Sequence, residues 1–194
     1  MVKRKVSLAR KTKETDVRID LNLDGRGKYK IKTTVPFMDH MLELFSKHSG
    51  IDLSIKAKGD TQIDDHHLVE DIGITLGEAL YKALGSKTGI CRYGEARIPM
   101  DESLSGVYVD LSGRPFFEYK VRFKKSFKEE FDFGLIEEFL RALSFNSKIT
   151  LHVIAYYGKN NHHIAESVFK AMAQALKTAV AVKGKSVPST KGSL

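Results

Sequence analysis

Apolar and polar positions alternate along two stretches of the chain, 18-RIDLNLDGRGKYKIK-32 and 107-VYVDLSGRPFFEYKVR-122. Each holds an alternating run, a Gly-Arg turn (Gly25-Arg26 and Gly113-Arg114) and a second run containing Tyr-Lys, a pattern that predicts a strand hairpin. Helical spacing follows in 37-FMDHMLELFSKHSGIDLSIKA-57 and 135-LIEEFLRALSFNSKITLHVIA-155, carried by Phe37, Met41, Leu44 and Phe45 in one and by Leu135, Phe139 and Leu143 in the other. Both stretches pass into a short β-patterned run, Ile51 to Ile55 and Ile149 to Ile154. An amphipathic helix then closes each half, His66 to Leu84 and His162 to Val182, and one more strand is expected in front, around Val6 to Ala9 and Arg92 to Ile98. The chain is therefore written twice as β-β-(α)-β-α. The halves are residues 1–86 and 87–182, with the seam near Gly85 to Gly89. They are expected to form one pseudo-symmetric α+β unit, each sheet covered by helices on one face. Residues 183-KGKSVPSTKGSL-194 show no periodicity and read as a C-terminal tail, disordered on composition alone.

Composition narrows the picture. At 194 residues and 42% hydrophobic, the chain can bury a core without staples. Its single cysteine, Cys91, excludes an internal disulfide and fits a reducing compartment. The N-terminus is basic without an apolar run behind it, and no stretch is long and apolar enough to span a membrane, so a cytoplasmic location is expected. A net charge of +8 invites nucleic acid, but the lysines are scattered from Lys3 to Lys191 and no RNA- or DNA-binding motif accompanies them. The excess suits a small anionic substrate, such as a phosphate ester, equally well.

Chemistry concentrates in two adjacent-histidine pairs, 65-DHHLVED-71 and 162-HHIAE-166. At helical spacing His66 and Glu70 share one face a turn apart, as do His162 and Glu166, so each helix offers one cation an imidazole and a carboxylate. His67 and His163 point about 100° away and can serve a second ion. If the two helices face each other, His67 joins His162 and Glu166, while His163 joins His66 and Glu70. The repeat suggests a fourth ligand for each: His40 lies 27 positions before His67, and Glu138 lies 25 before His163. Such mixed ligation suits Mn, Fe, Zn or Co. One histidine pair is ordinary surface decoration, but two at matching places in a repeat are not.

The segments 38-MDHMLELFSKH-48, 64-DDHHLVEDIGITLGEAL-80, 92-RYG-94, 99-PMDESL-104, 112-SGRP-115, 158-GKNNHHIAESVFKAMAQAL-176 and 188-PSTKG-192 resemble the imidazoleglycerol-phosphate dehydratases, in that family's order over nearly the whole chain. The resemblance implies ribosomal-protein-S5-domain-2-like halves and a homo-oligomer of 24 subunits with sites between subunits. It also implies two Mn(II) ions per active site, with Zn, Fe or Co as substitutes. The first ion then takes His40, His67, His162 and Glu166; the second takes His66, Glu70 and His163. In the family a histidine completes the second set, where this chain has Glu138. Either its carboxylate binds, or it faces solvent and water fills the shell.

The implied reaction is that of a histidine-biosynthetic hydro-lyase, converting D-erythro-imidazole-glycerol phosphate into imidazole-acetol phosphate. Held as a metal-bound imidazolate, the ring would expel hydroxide from the attached carbon, and proton loss at the next carbon would give an enol and then the ketone. The resemblance makes Glu14 the proton carrier and places His48 in the substrate-binding segment. On residues alone, Glu14 is a surface glutamate and His48 a helix-terminal cap. Phosphate binding falls by resemblance to Arg92, Arg114, Lys170, Ser189 and Lys191, and the tail would then order on the ligand. Asp39, Asp65 and Asp71 flank ligands and could fix imidazole tautomers. Two rivals share parts of the pattern: a dinuclear metal-dependent phosphate-ester hydrolase and a metal-stabilised RNA-binding module.

Overall fold

Alternation places Val17, Ile19 and Leu21 on the buried side of strand β2 (Thr15–Asn22), with Arg18 and Asp20 facing out. The structure, a computed structural model, describes residues 4–62, 64–124, 131–192 and 194. Strand β1 (Lys5–Lys11) pairs antiparallel with β2, β2 with β4 (Asp52–Gly59), and β4 runs parallel to β3 (Tyr29–Lys32). The sheet order is β1-β2-β4-β3. The second half repeats it as β5-β6-β8-β7, from β5 (Tyr93–Met100), β6 (Ser103–Asp110), β7 (Phe116–Lys120) and β8 (Thr150–Tyr157).

The expected hairpins at the Gly-Arg turns do not form. β4 lies between β2 and β3, and β8 between β6 and β7. The reason is local. Asp52 Oδ1, at the start of β4, accepts the N–H groups of Arg26 and Lys28 at 2.8 and 2.9 Å. Gly25 sits so close that a Cβ there would be 2.4 Å from the Asp52 nitrogen. The turn is thus tied to the incoming strand, and the true hairpins are β1–β2 and β5–β6.

Helices α1 (Pro36–Ser49) and α2 (His66–Leu84) cover the first sheet; α3 (Leu135–Ser147) and α4 (Asn161–Ala179) cover the second. Each helix-covered face meets the other half: α2 packs on α3 and α1 on α4. Gly73 and Gly77 let α2 approach α3 closely, since a Cβ at either would fall 2.7 Å from a carbonyl oxygen, of Phe139 and Leu143 respectively. Helix α4 stops at Ala179 rather than Val182, because Val182 turns into a bridge with Ile90. Beyond it the tail lies along the seam: Lys183 and Gly184 donate to the Gly89 carbonyl at 2.8 and 2.9 Å, and Gly89 donates to Ser186 at 2.9 Å. Composition hid these backbone bonds, which need no particular side chains. Among the described residues no helix is long and apolar enough to cross a membrane.

Candidate metal centre and active site

The contact of α1 with α4 builds the first cluster. His40 Nε2 lies 3.2 Å from Glu166 Oε1, and His162 Nε2 lies 3.1 Å from the same oxygen. Lys170, one further turn along α4, donates to Glu166 Oε2 at 2.5 Å. Burial pushes the Glu166 carboxyl up, but Lys170 and the two imidazoles outweigh it and hold the group at about 2. Two imidazole nitrogens and one carboxylate oxygen therefore converge within 4.8 Å. This donor set fits a borderline divalent cation, which would replace the two ring protons shared with the carboxylate.

The histidines at the start of α2 stand elsewhere. Asp64, one residue before the N-cap of α2, accepts the His66 N–H at 2.9 Å, and Asn160 caps α4 by accepting that of His162 at 2.8 Å. His67 Nδ1 is 3.3 Å from Asp60 Oδ2 and 3.9 Å from Glu14 Oε2, the second group with metal-ligand spacing. Asp60 Oδ1 is buried and has no hydrogen-bond partner among the described residues. The hydrogen bond to Asp60, then the charge of Glu14, raises the His67 pKa. His163 Nδ1 lies 2.6 Å from Glu102 Oε2, a contact that raises its pKa and drives that of Glu102 well below the usual carboxylate range.

Comparison with known proteins decides the family. The family model for imidazoleglycerol-phosphate dehydratase matches residues 33–176. The imidazoleglycerol-phosphate dehydratase of Alkaliphilus metalliredigens is 55% identical over 95% of this chain and 96% of its own, and that of Syntrophus aciditrophicus 52% over the whole of both. The chain belongs to the imidazoleglycerol-phosphate dehydratase family. It is a hydro-lyase of histidine biosynthesis, and neither the hydrolase nor the RNA-binding reading is supported. The solved dehydratases of Staphylococcus aureus and Pyrococcus furiosus, the latter in complex with (S)-C348, both superpose with a TM-score of 0.84. They are 39% and 40% identical to this chain, covering 92% and 96% of it and 99% and 100% of their own lengths.

Of the ligands that sequence reading expects in a dehydratase site, one chain brings His40, His162 and Glu166 together. His67 sits apart from them, beside Glu14 and Asp60. His66, Glu70, Glu138 and His163 do not form a ligand group among the described residues; His66 lines a cleft of about 290 Å³ with Asp132 and Leu135. Glu138 lies 3.7 Å from Arg141. Arg92 grips Asp110 through Nε and Nη2 at 2.7 and 3.2 Å and donates to the Pro188 carbonyl at 3.0 Å, fastening the tail before Ser189 and Lys191. The Arg114 backbone is bonded to Ser112 and Thr150. Burial, then Lys170, depresses the His48 pKa.

The expected imidazole partners differ. Asp39 accepts from Thr33, Asp71 from Arg10 and Thr15, and Asp65 makes no cap bond. Instead Asp60 and Glu102 reach the rings. Glu102 lies in the 99-PMDESL-104 motif, a signal left without a role; Asp60 carries no such mark, because only tertiary folding brings the end of β4 to His67.

Proposed function

We propose that this dehydratase works with divalent metal, two Mn(II) ions per site, and that the site forms between copies of the chain in a 24-subunit homo-oligomer in the cytoplasm. His40, His162 and Glu166 would hold one ion together with His67 of a neighbouring copy. His66, Glu70 and Glu138 would hold the other together with His163 of a neighbour. The separation of His67 from the first cluster within one chain supports this division. Residues 1–86 and 87–182 act as the two halves of one unit, and the tail 183–194 as part of the site.

The bound ions supply Lewis-acid stabilisation of negative charge on the substrate's imidazole ring. The protein's own groups do the rest. Lys170 satisfies one oxygen of Glu166 and leaves the other to face the two histidines. Glu14, exposed in the β1–β2 turn, takes the proton from the carbon next to the departing hydroxyl. His48, whose lowered pKa keeps it neutral near pH 7, lines the substrate segment without adding charge. Arg92, Arg114, Lys170, Ser189 and Lys191 receive the phosphate, and Arg92 also holds the tail that carries two of them.

The convergence of His40 and His162 on Glu166 in a chain of this family carries the reading. Its test is turnover of imidazoleglycerol phosphate by metal-stripped protein with and without Mn(II), following ketone and free phosphate together. Ketone only with metal, and no phosphate release, is expected. Full turnover by stripped protein would end the metal reading.

A further inference from the structure

The second histidine of each pair has its Nδ1 on a carboxylate, and that fact reaches beyond the ligand set. In the second half the carboxylate is Glu102, in the β5–β6 turn; in the first it is Asp60, at the end of β4. These two positions are not equivalents in the repeat. The element equivalent to the β5–β6 turn is the β1–β2 turn, which carries Glu14, 3.9 Å from His67 Nδ1. Both halves thus place a turn glutamate beside the second histidine. In one half that glutamate is consumed by the ring; in the other Asp60 has taken its place and Glu14 remains exposed.

We propose that Glu102 and Asp60 are positioning residues that hold the Nδ1 protons of His163 and His67, leaving each Nε2 unprotonated for metal, and that Asp60 thereby frees Glu14 for proton transfer. The inference rests on the metal reading above. A histidine ligand is fixed in tautomer and orientation by what its other nitrogen donates to. His40 and His162 contrast with this pair: their Nε2 atoms already face a carboxylate, so metal must displace a proton from each. Asp60 supports the assignment independently, because its Oδ1 is buried with no hydrogen-bond partner among the described residues, an unfavourable placement for a group with no task. On the far side of His163, Asp101 Oδ2 is 3.8 Å from Nε2, beyond hydrogen-bond reach.

Glu102 also offers a decisive variant. Its Oε1 accepts from Ser103 Oγ at 3.1 Å and from the Lys159 and Asn160 N–H groups at 3.0 and 2.8 Å. In Glu102→Gln those three donors keep the amide oxygen where Oε1 is, so the amide NH2 must face His163 Nδ1. The ring is then forced to accept at Nδ1 and carry its proton on Nε2, where it cannot ligate.

The experiment is solid-state NMR of ring-15N histidine in the full-length, metal-free protein at about pH 9, where imidazoles are neutral, paired with Mn(II) titration by EPR. In Glu102→Gln one histidine should exchange Nδ1–H for Nε2–H, and one Mn(II) equivalent should bind about 10–100-fold more weakly. Asp60→Ala should weaken one equivalent by a similar factor without loss of folded protein. An unchanged set of tautomers in Glu102→Gln, or wild-type Mn(II) affinity in either variant, overturns the proposal. Wild-type protein that takes up no Mn(II) would instead sink the metal reading, and the tautomer assignment would stand or fall on the NMR alone.

Discussion

The α2–α3 crossing sets how far His66 and Glu70 stand from Glu138, and Gly77 controls that crossing. In Gly77→Val the new Cβ would start 2.7 Å from the Leu143 oxygen, 2.9 Å from Asn146 Cβ and 3.1 Å from the Ser147 nitrogen. Ordinary contact begins at 3.4 Å, so α3 must yield by about 0.7 Å at its backbone, where no flexible side-chain end can move aside. Overpacking of this kind costs about 1–3 kcal/mol. Leaving glycine in a helix interior returns less than about 1 kcal/mol, and valine's branching reduces that gain. The net is a loss of about 2 kcal/mol, or a Tm lower by about 4–8 °C for a chain of this size. Urea and thermal unfolding monitored by circular dichroism measure it at fixed protein concentration. Gly77→Ala should lose less. A Val variant as stable as wild type would show that the helices separate freely and that the crossing does not fix the site.

His162→Ala and Glu166→Gln should each remove high-affinity Mn(II) from one site per chain with the fold intact, read by equilibrium dialysis and circular dichroism; retained stoichiometry would exclude the α1–α4 cluster as a ligand set. Arg92→Ala breaks a mostly buried ion pair and should cost about 3 kcal/mol while exposing residues 183–192 to protease; an unchanged cleavage pattern would mean the tail is held by its seam bonds alone. Burial pushes the Asp52 carboxyl up, yet the Arg26 and Lys28 N–H groups and Asn22 bring it below its ordinary 3.8. Its contribution is therefore present above pH 3.8 and lost as pH falls through the lower folded value. Asp52→Asn should be less stable than wild type at pH 7, with the gap closing as pH falls below 3.8 and through the lower folded value; a gap independent of pH would refute the carboxylate's role.

Much of this was legible in the sequence because duplication repeats its signals. Alternation marked β2 and β6, and helical spacing marked all four helices. Strand order was not legible. A Gly-Arg turn between two alternating runs is identical in sequence whether the runs pair or a third strand enters between them, and here Asp52, 26 positions beyond Arg26, decides. The same limit governed the site. His162 and Glu166 are one helical turn apart and could be paired by counting, whereas the carboxylates on the second histidines come from 7 and 61 positions away.

The pseudo-symmetry also explains why one chain closes one cluster and not the other. α1 meets α4 as α3 meets α2, so His40 corresponds to Glu138, His162 to His66 and Glu166 to Glu70. In the first contact two imidazoles flank one carboxylate, and the group satisfies itself through hydrogen bonds of 3.1–3.2 Å. In the second, one imidazole would stand between two carboxylates. Like charges at close range oppose that arrangement unless a cation or proton joins them. Glu138 instead lies beside Arg141, on its own helix. In the proposed site, the carboxylate at position 138 would thus leave a half-site that needs a cation or a proton to draw it together, where the equivalent His40 is already joined to Glu166.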